Sequence, residues 1–160
     1  MGGTEQTRMA AFADSVRDST LKRLKLVPEG SENWAVTRGA MSFADLAHHV
    51  IQCDKALIKV FESKHIGKNL GEAGATRITN RADYIALVQE LHELKRVRCE
   101  VIEELTDADF DVLIDADRIR GVERIPAGLL ILETLDHEIH HRGQLALYLR
   151  VLESARSAVA

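Results

Sequence analysis

A chain of 160 residues, 46% hydrophobic and 29% charged, can bury one sizeable core but not comfortably two. Its formal charge of −4, from 21 Lys and Arg against 25 Asp and Glu, presents no basic face to a polyanion and argues against a nucleic-acid partner. Its apolar runs are far too short to cross a bilayer, which argues against a membrane protein.

Aromatics are scarce at 4% and only two prolines occur, while runs rich in Ala, Leu, Glu and Arg favour helices over a β-sandwich. Residues 5–26 carry Met9, Phe12, Val16, Leu21 and Leu24 at helical spacing, and Pro28 with the Glu-Gly-Ser after it stops this first helix. A loop around Trp34 leads to Ser42, a good N-cap with Asp45 three residues on, and a second helix to about residue 63. Gly67, Gly71 and Gly74 mark a connection long enough to be a lid or simply a slack loop.

A third helix is expected over residues 80–105, with Tyr84, Leu87, Val88, Leu91, Leu94, Val101 and Leu105 as its stripe. Residues 106–125 alternate acidic and apolar side chains and read as an extended, hairpin-like crossover. Pro126 fits the first position of a fourth helix reaching about residue 152, some 40 Å at ~1.5 Å per residue. The expected architecture is all-α: one domain over residues 1–160, a four-helix bundle with one long crossover connection. Such bundles place metal sites on facing helices. Cys53 and Cys99 fall in apolar helical contexts and need no oxidising compartment. With no secretory hydrophobic region near the N-terminus and Gln6 breaking the myristoylation pattern, a cytoplasmic protein fits.

Seven histidines occur, five of them in two clusters: His48 and His49, then His137, His140 and His141. On the second helix, Leu46, His49, Val50, Cys53, Leu57 and Val60 share the core side, whereas Asp45, His48, Gln52 and Lys55 share the solvated side. One inward histidine alone is more often a core residue with ordinary partners. On the fourth helix, however, His137 and His141 stand one turn apart on the stripe of Leu130, Thr134, Tyr148 and Leu152, the spacing that offers two imidazoles to one ion. His140 is rotated away, toward an (i, i+4) partner in Asp136. Three inward imidazoles from two helices point to a divalent transition metal rather than calcium or magnesium, with at least one coordination position left open. Cys53, one turn after His49, reads first as a small buried thiol and second as a sulfur ligand.

The stretch Ser42-Phe43-Ala44-Asp45-Leu46-Ala47-His48-His49-Val50 resembles the helix-2 motif of the DinB/YfiT-like superfamily of metal-binding four-helix proteins. His137-Glu138-Ile139-His140-His141-Arg142-Gly143-Gln144, followed by Leu145 and Tyr148-Leu149-Arg150, resembles its helix-4 motif, and the likeness covers nearly the whole chain. The resemblance implies a metal, zinc or nickel first, on His49, His137 and His141, and frequent homodimers. It also implies a small-molecule substrate and, by likeness to the better understood relatives, transfer of a low-molecular-weight thiol to an electrophile. A metal-dependent hydrolase and a non-catalytic, stress-related metal-binding protein are the alternatives.

No catalytic base stands out. Glu138 is expected to pair with Arg142, and Glu133 to orient a ligand or sit at the pocket rim. Gln144 is expected either to hydrogen-bond near the metal or to pack between helices. Arg118, Arg120 and Arg124 suit a solvated loop or, less ordinarily, a carboxylate-binding mouth.

Overall fold

The computed structural model describes residues 4–66, 77–116 and 122–158. Four long helices dominate it: α1 (Glu5–Leu24), α2 (Phe43–Ser63), α3 (Arg81–Glu103) and α5 (Ala127–Ser157). A single turn of helix, α4 (Asp107–Phe110), and two short strands, β1 (Leu113–Asp115) and β2 (Arg124–Pro126), lie between α3 and α5. The strands pair antiparallel with Ile114 opposite Ile125, so the hairpin-like reading of the crossover is right and only the short helix before it was unforeseen. The Gly67–Gly74 connection, read as either a lid or a slack loop, and Arg118 and Arg120 fall outside the described residues.

Local chemistry sets the helix starts. Thr4 caps α1, and Ser42 and Asp45 form a reciprocal capping box on α2, with Asp45 N donating to Ser42 Oγ at 3.1 Å and Ser42 N donating to Asp45 Oδ2 at 2.9 Å. Asn80 accepts from Asp83 N at 2.9 Å and opens α3 one residue later than the spacing suggests. Pro126 closes β2 rather than opening α5, and α5 runs five residues past the expected end. Gly128 lets α4 lie directly on α5, since a Cβ there would stand 2.7 Å from Phe110 Cδ1.

Helix α1 packs on α3 and α5, and α2 packs on the same two helices, which places α1 and α2 across the bundle from each other. One half of the core gathers Leu24, Phe43, Leu46, Leu91, Leu145 and Tyr148; the other gathers Ala13, Leu57, Ile102, Ile114, Ile131 and Leu135. Trp34 stacks on Phe43 (5.9 Å) and meets Tyr148 edge-on (5.8 Å), pinning the loop before α2 to α5. Phe12, expected in the first helix's apolar stripe, is exposed.

At the centre, each long helix contributes one charged side chain. Arg17 donates from Nε to Glu138 Oε1 at 2.8 Å and lies 2.8 Å from Asp54 Oδ2. Arg98 Nη1 reaches Glu138 Oε2 at 2.6 Å and Asp54 Oδ1 at 3.1 Å. Two main-chain carbonyls complete the set: Leu91 O accepts from Arg17 at 3.0 Å and Ala13 O from Arg98 at 2.7 Å. All four side chains are shut off from water. The expected Glu138–Arg142 pair is therefore wrong: α5 turns Glu138 into the core, where two guanidiniums take its carboxylate. Burial alone would raise the Glu138 pKa, but Arg17 and Arg98 outweigh it and hold the group down at about 2.

Removing one member leaves buried charges uncompensated, so Glu138→Gln should lose about 3–5 kcal/mol in denaturant unfolding at neutral pH. The Glu138 pKa is depressed on folding, so its contribution is present above the ordinary value of 4.5 and fades as pH falls toward about 2. The stability gap between native protein and variant should accordingly narrow over that window; a gap that stays constant would contradict the assignment.

Candidate metal centre

The face of α2 that carries Leu46, Val50 and Leu57 into the core also carries His49, which is buried. Opposite it, α5 presents His137, half-buried, and His141, buried, one turn apart. The three rings meet edge to face, with centroids 5.0 Å (His49–His137), 4.8 Å (His49–His141) and 4.4 Å (His137–His141) apart. The Nε2 atom of His137 is 2.7 Å from His49 Nε2 and 3.0 Å from His141 Nε2. The structure thus brings together the three histidines singled out from the sequence.

Two donors at about 2.1 Å from one ion stand about 3.0 Å apart at a right angle and about 3.4 Å apart at a tetrahedral one. The His137–His141 separation equals the right-angle value and the His49–His137 separation is shorter, so an ion between them would draw these two rings slightly apart. Cys53 adds a sulfur: Sγ is 3.8 Å from His49 Nε2, and the ligand atoms of His49, Cys53 and His137 all lie within 4.8 Å of one another. His49, Cys53 and His137 form a cluster that could hold a metal ion, with His141 beside it, 3.0 Å from His137. Imidazole and thiol are donors for zinc, nickel, cobalt or copper and poor ones for calcium or magnesium.

Two features prepare the nitrogens to donate. Gln144 Oε1 lies 2.8 Å from His141 Nδ1, so it accepts that proton and leaves the Nε2 lone pair aimed at the cluster. Burial, reinforced by the neighbouring imidazoles and only partly offset by Gln144, pushes His141 down to about 4, so its ring is neutral at physiological pH. Gln144 therefore hydrogen-bonds an imidazole of the cluster. Burial, with the charges of Asp54 and Glu138 adding to it, pushes the Cys53 thiol up to about 11.

The other candidates stand outside this group of close donor atoms. His140 is exposed, with its ring 5.3 Å from that of His141, and no His140–Asp136 ion pair occurs among the described residues. His48 does not face water as expected: it is half-buried, with its Nδ1 covered and its Nε2 3.2 Å from Gln52. Glu133 is exposed, and Arg124 is engaged by Asp115 at 3.0 Å in the hairpin.

A helical bundle with a histidine cluster between two of its long helices defines a DinB-like protein. The chain belongs to the DinB family, whose pattern it matches over residues 1–157. Its fold is similar to the crystal structure of a DinB-like protein, YjoA, from Bacillus subtilis. The TM-score is 0.70 at 18% sequence identity, covering 91% of this chain and 92% of that one. No curated protein matches it. Among the described residues, no helix is long and apolar enough to cross a membrane.

The tautomer assignment can be tested without any metal. Imidazole nitrogen NMR of the metal-free protein should report His141 as the Nδ1–H form, and Gln144→Leu should abolish that preference. An unchanged tautomer in the variant would remove Gln144 from this role.

Proposed function

We propose that the chain holds one divalent transition metal through His49, His137 and His141 and uses it to transfer a low-molecular-weight thiol to a small electrophile. The observation that carries the reading is the approach of His49 Nε2 and His141 Nε2 to His137 Nε2, at 2.7 and 3.0 Å, with Gln144 against the other nitrogen of His141. Bound there, zinc or nickel would supply Lewis acidity, lowering the pKa of a thiol or water molecule at an open position. The chain's part is to hold three imidazole donors, of which His137 is only half-buried.

Carboxylate placement favours a thiol over water as the nucleophile. Hydrolysis gains from a general base near the attacking water. Of the carboxylates adjacent in sequence to cluster residues, Asp54 and Glu138 are locked between Arg17 and Arg98 in the core, and Asp136 is exposed. A thiol, ordinarily near pKa 8.5, needs only a modest further shift to ionise at neutral pH and calls for no such base.

The purified protein should take up about one equivalent of zinc or nickel, and His141→Ala should bind it at least about tenfold more weakly. The loaded protein should consume a cellular thiol in the presence of a generic electrophile and lose that turnover on chelation. Absence of metal uptake would end the proposal. Uptake with thermal stabilisation but no thiol turnover would favour a structural, non-catalytic site instead.

A further inference from the structure

Cys53 takes no part in the reaction proposed above, yet its sulfur faces the imidazole cluster. It stands one turn after His49 on the same face of α2, so the helix that aims the first imidazole also aims the thiol. A nitrogen at about 2.05 Å and a sulfur at about 2.3 Å from one ion are separated by about 3.6 Å at a tetrahedral angle. The Sγ–Nε2 separation of 3.8 Å is within a few tenths of an ångström of that value. By contrast, Cys99 on α3 points to Ala10 O at 3.6 Å, across the bundle on α1, and serves as an internal control.

We propose that Cys53 is a fourth, sulfur ligand of the metal held by His49, His137 and His141. The inference rests on the three-histidine reading and deepens it: the centre becomes a nitrogen-sulfur site that selects thiophilic ions. An incoming thiol would then compete with, or bind beside, a thiolate the chain itself supplies. When the sulfur binds, the metal–sulfur bond forms and the thiol proton passes to solvent, because the thiolate is the ligating form. Nothing is oxidised or reduced in that step.

Cobalt(II) makes the test direct, since thiolate coordination gives a near-ultraviolet charge-transfer band that imidazole coordination lacks. The native protein loaded with one equivalent of cobalt should show the band. Cys99→Ser should keep it, while Cys53→Ser and Cys53→Ala should lose it and bind cobalt at least about tenfold more weakly. Far-ultraviolet circular dichroism of each variant checks that the bundle is intact. Stoichiometric cobalt binding without the band, identical in native protein and Cys53→Ser, would overturn the sulfur ligand and leave the three-histidine site standing. Failure of the native protein to bind cobalt, zinc or nickel would overturn both.

Discussion

Two arginines and two carboxylates, one from each long helix, meet in the dry centre of this bundle, and the placement of everything else depends on them. Apolar side chains can slide past one another with modest loss, but a buried guanidinium cannot lose its carboxylate partner without a large penalty. Arg17, Asp54, Arg98 and Glu138 therefore fix how far each helix is turned about its own axis. In an α-helix, a shift of one residue turns a side chain by about 100°. Because Glu138 is held inward by Arg17 and Arg98, His137 and His141 fall on the flank of α5 that faces α2. Because Asp54 is held by the same arginines, Cys53 and His49 face back toward α5.

The network and the metal-compatible cluster divide the polar chemistry of the interior between them. The four network charges sum to zero, and each carboxylate meets both guanidiniums, so the set is self-contained. The histidine cluster is uncharged when its rings are neutral and lies toward the edge of the bundle, where His137 is half-exposed. A buried charged set can hold shape there because it does not need to change during a reaction. A centre of the kind proposed would have to exchange ligands with water, and its cluster includes the half-buried His137 and Cys53.

Most of the cluster was legible in the sequence because the helical period is strict where caps fix the helix start. The Ser42–Asp45 capping box sets where α2 begins, and counting from there puts His49, and not His48, on the core face. The i, i+4 spacing of His137 and His141 needs no more than the period of α5. The network was not read, yet its signal was present. Asp54 interrupts the buried series Val50–Leu57, Arg98 the series Leu91–Ile102, Glu138 the series Leu135–Leu145, and Arg17 the series Ala13–Leu21. Four charges of balanced sign on four apolar stripes are a pattern in themselves. Judged one helix at a time, Glu138 finds a cheaper local partner in Arg142. Only the comparison of all four stripes shows that opposite charges have to meet. The burial of His48 was not legible for the complementary reason: it depends on what lies over the flank of α2, which no single-helix period encodes.

Charge also bears on how this centre would accommodate a metal. A dication on three neutral imidazoles brings two positive charges to the edge of an interior whose other charges already cancel. In a medium less polarisable than water that excess is costly, and an anionic ligand from the chain or from a substrate reduces it. Asp54 and Glu138, next in sequence to Cys53 and His137, are paired with arginines and directed toward the core. Among the cluster side chains only the thiol of Cys53 can become an anion at the position where the excess arises. The arrangement that ties Asp54 and Glu138 to the arginines thus leaves sulfur, the protein's own or a substrate's, as a source of negative charge there.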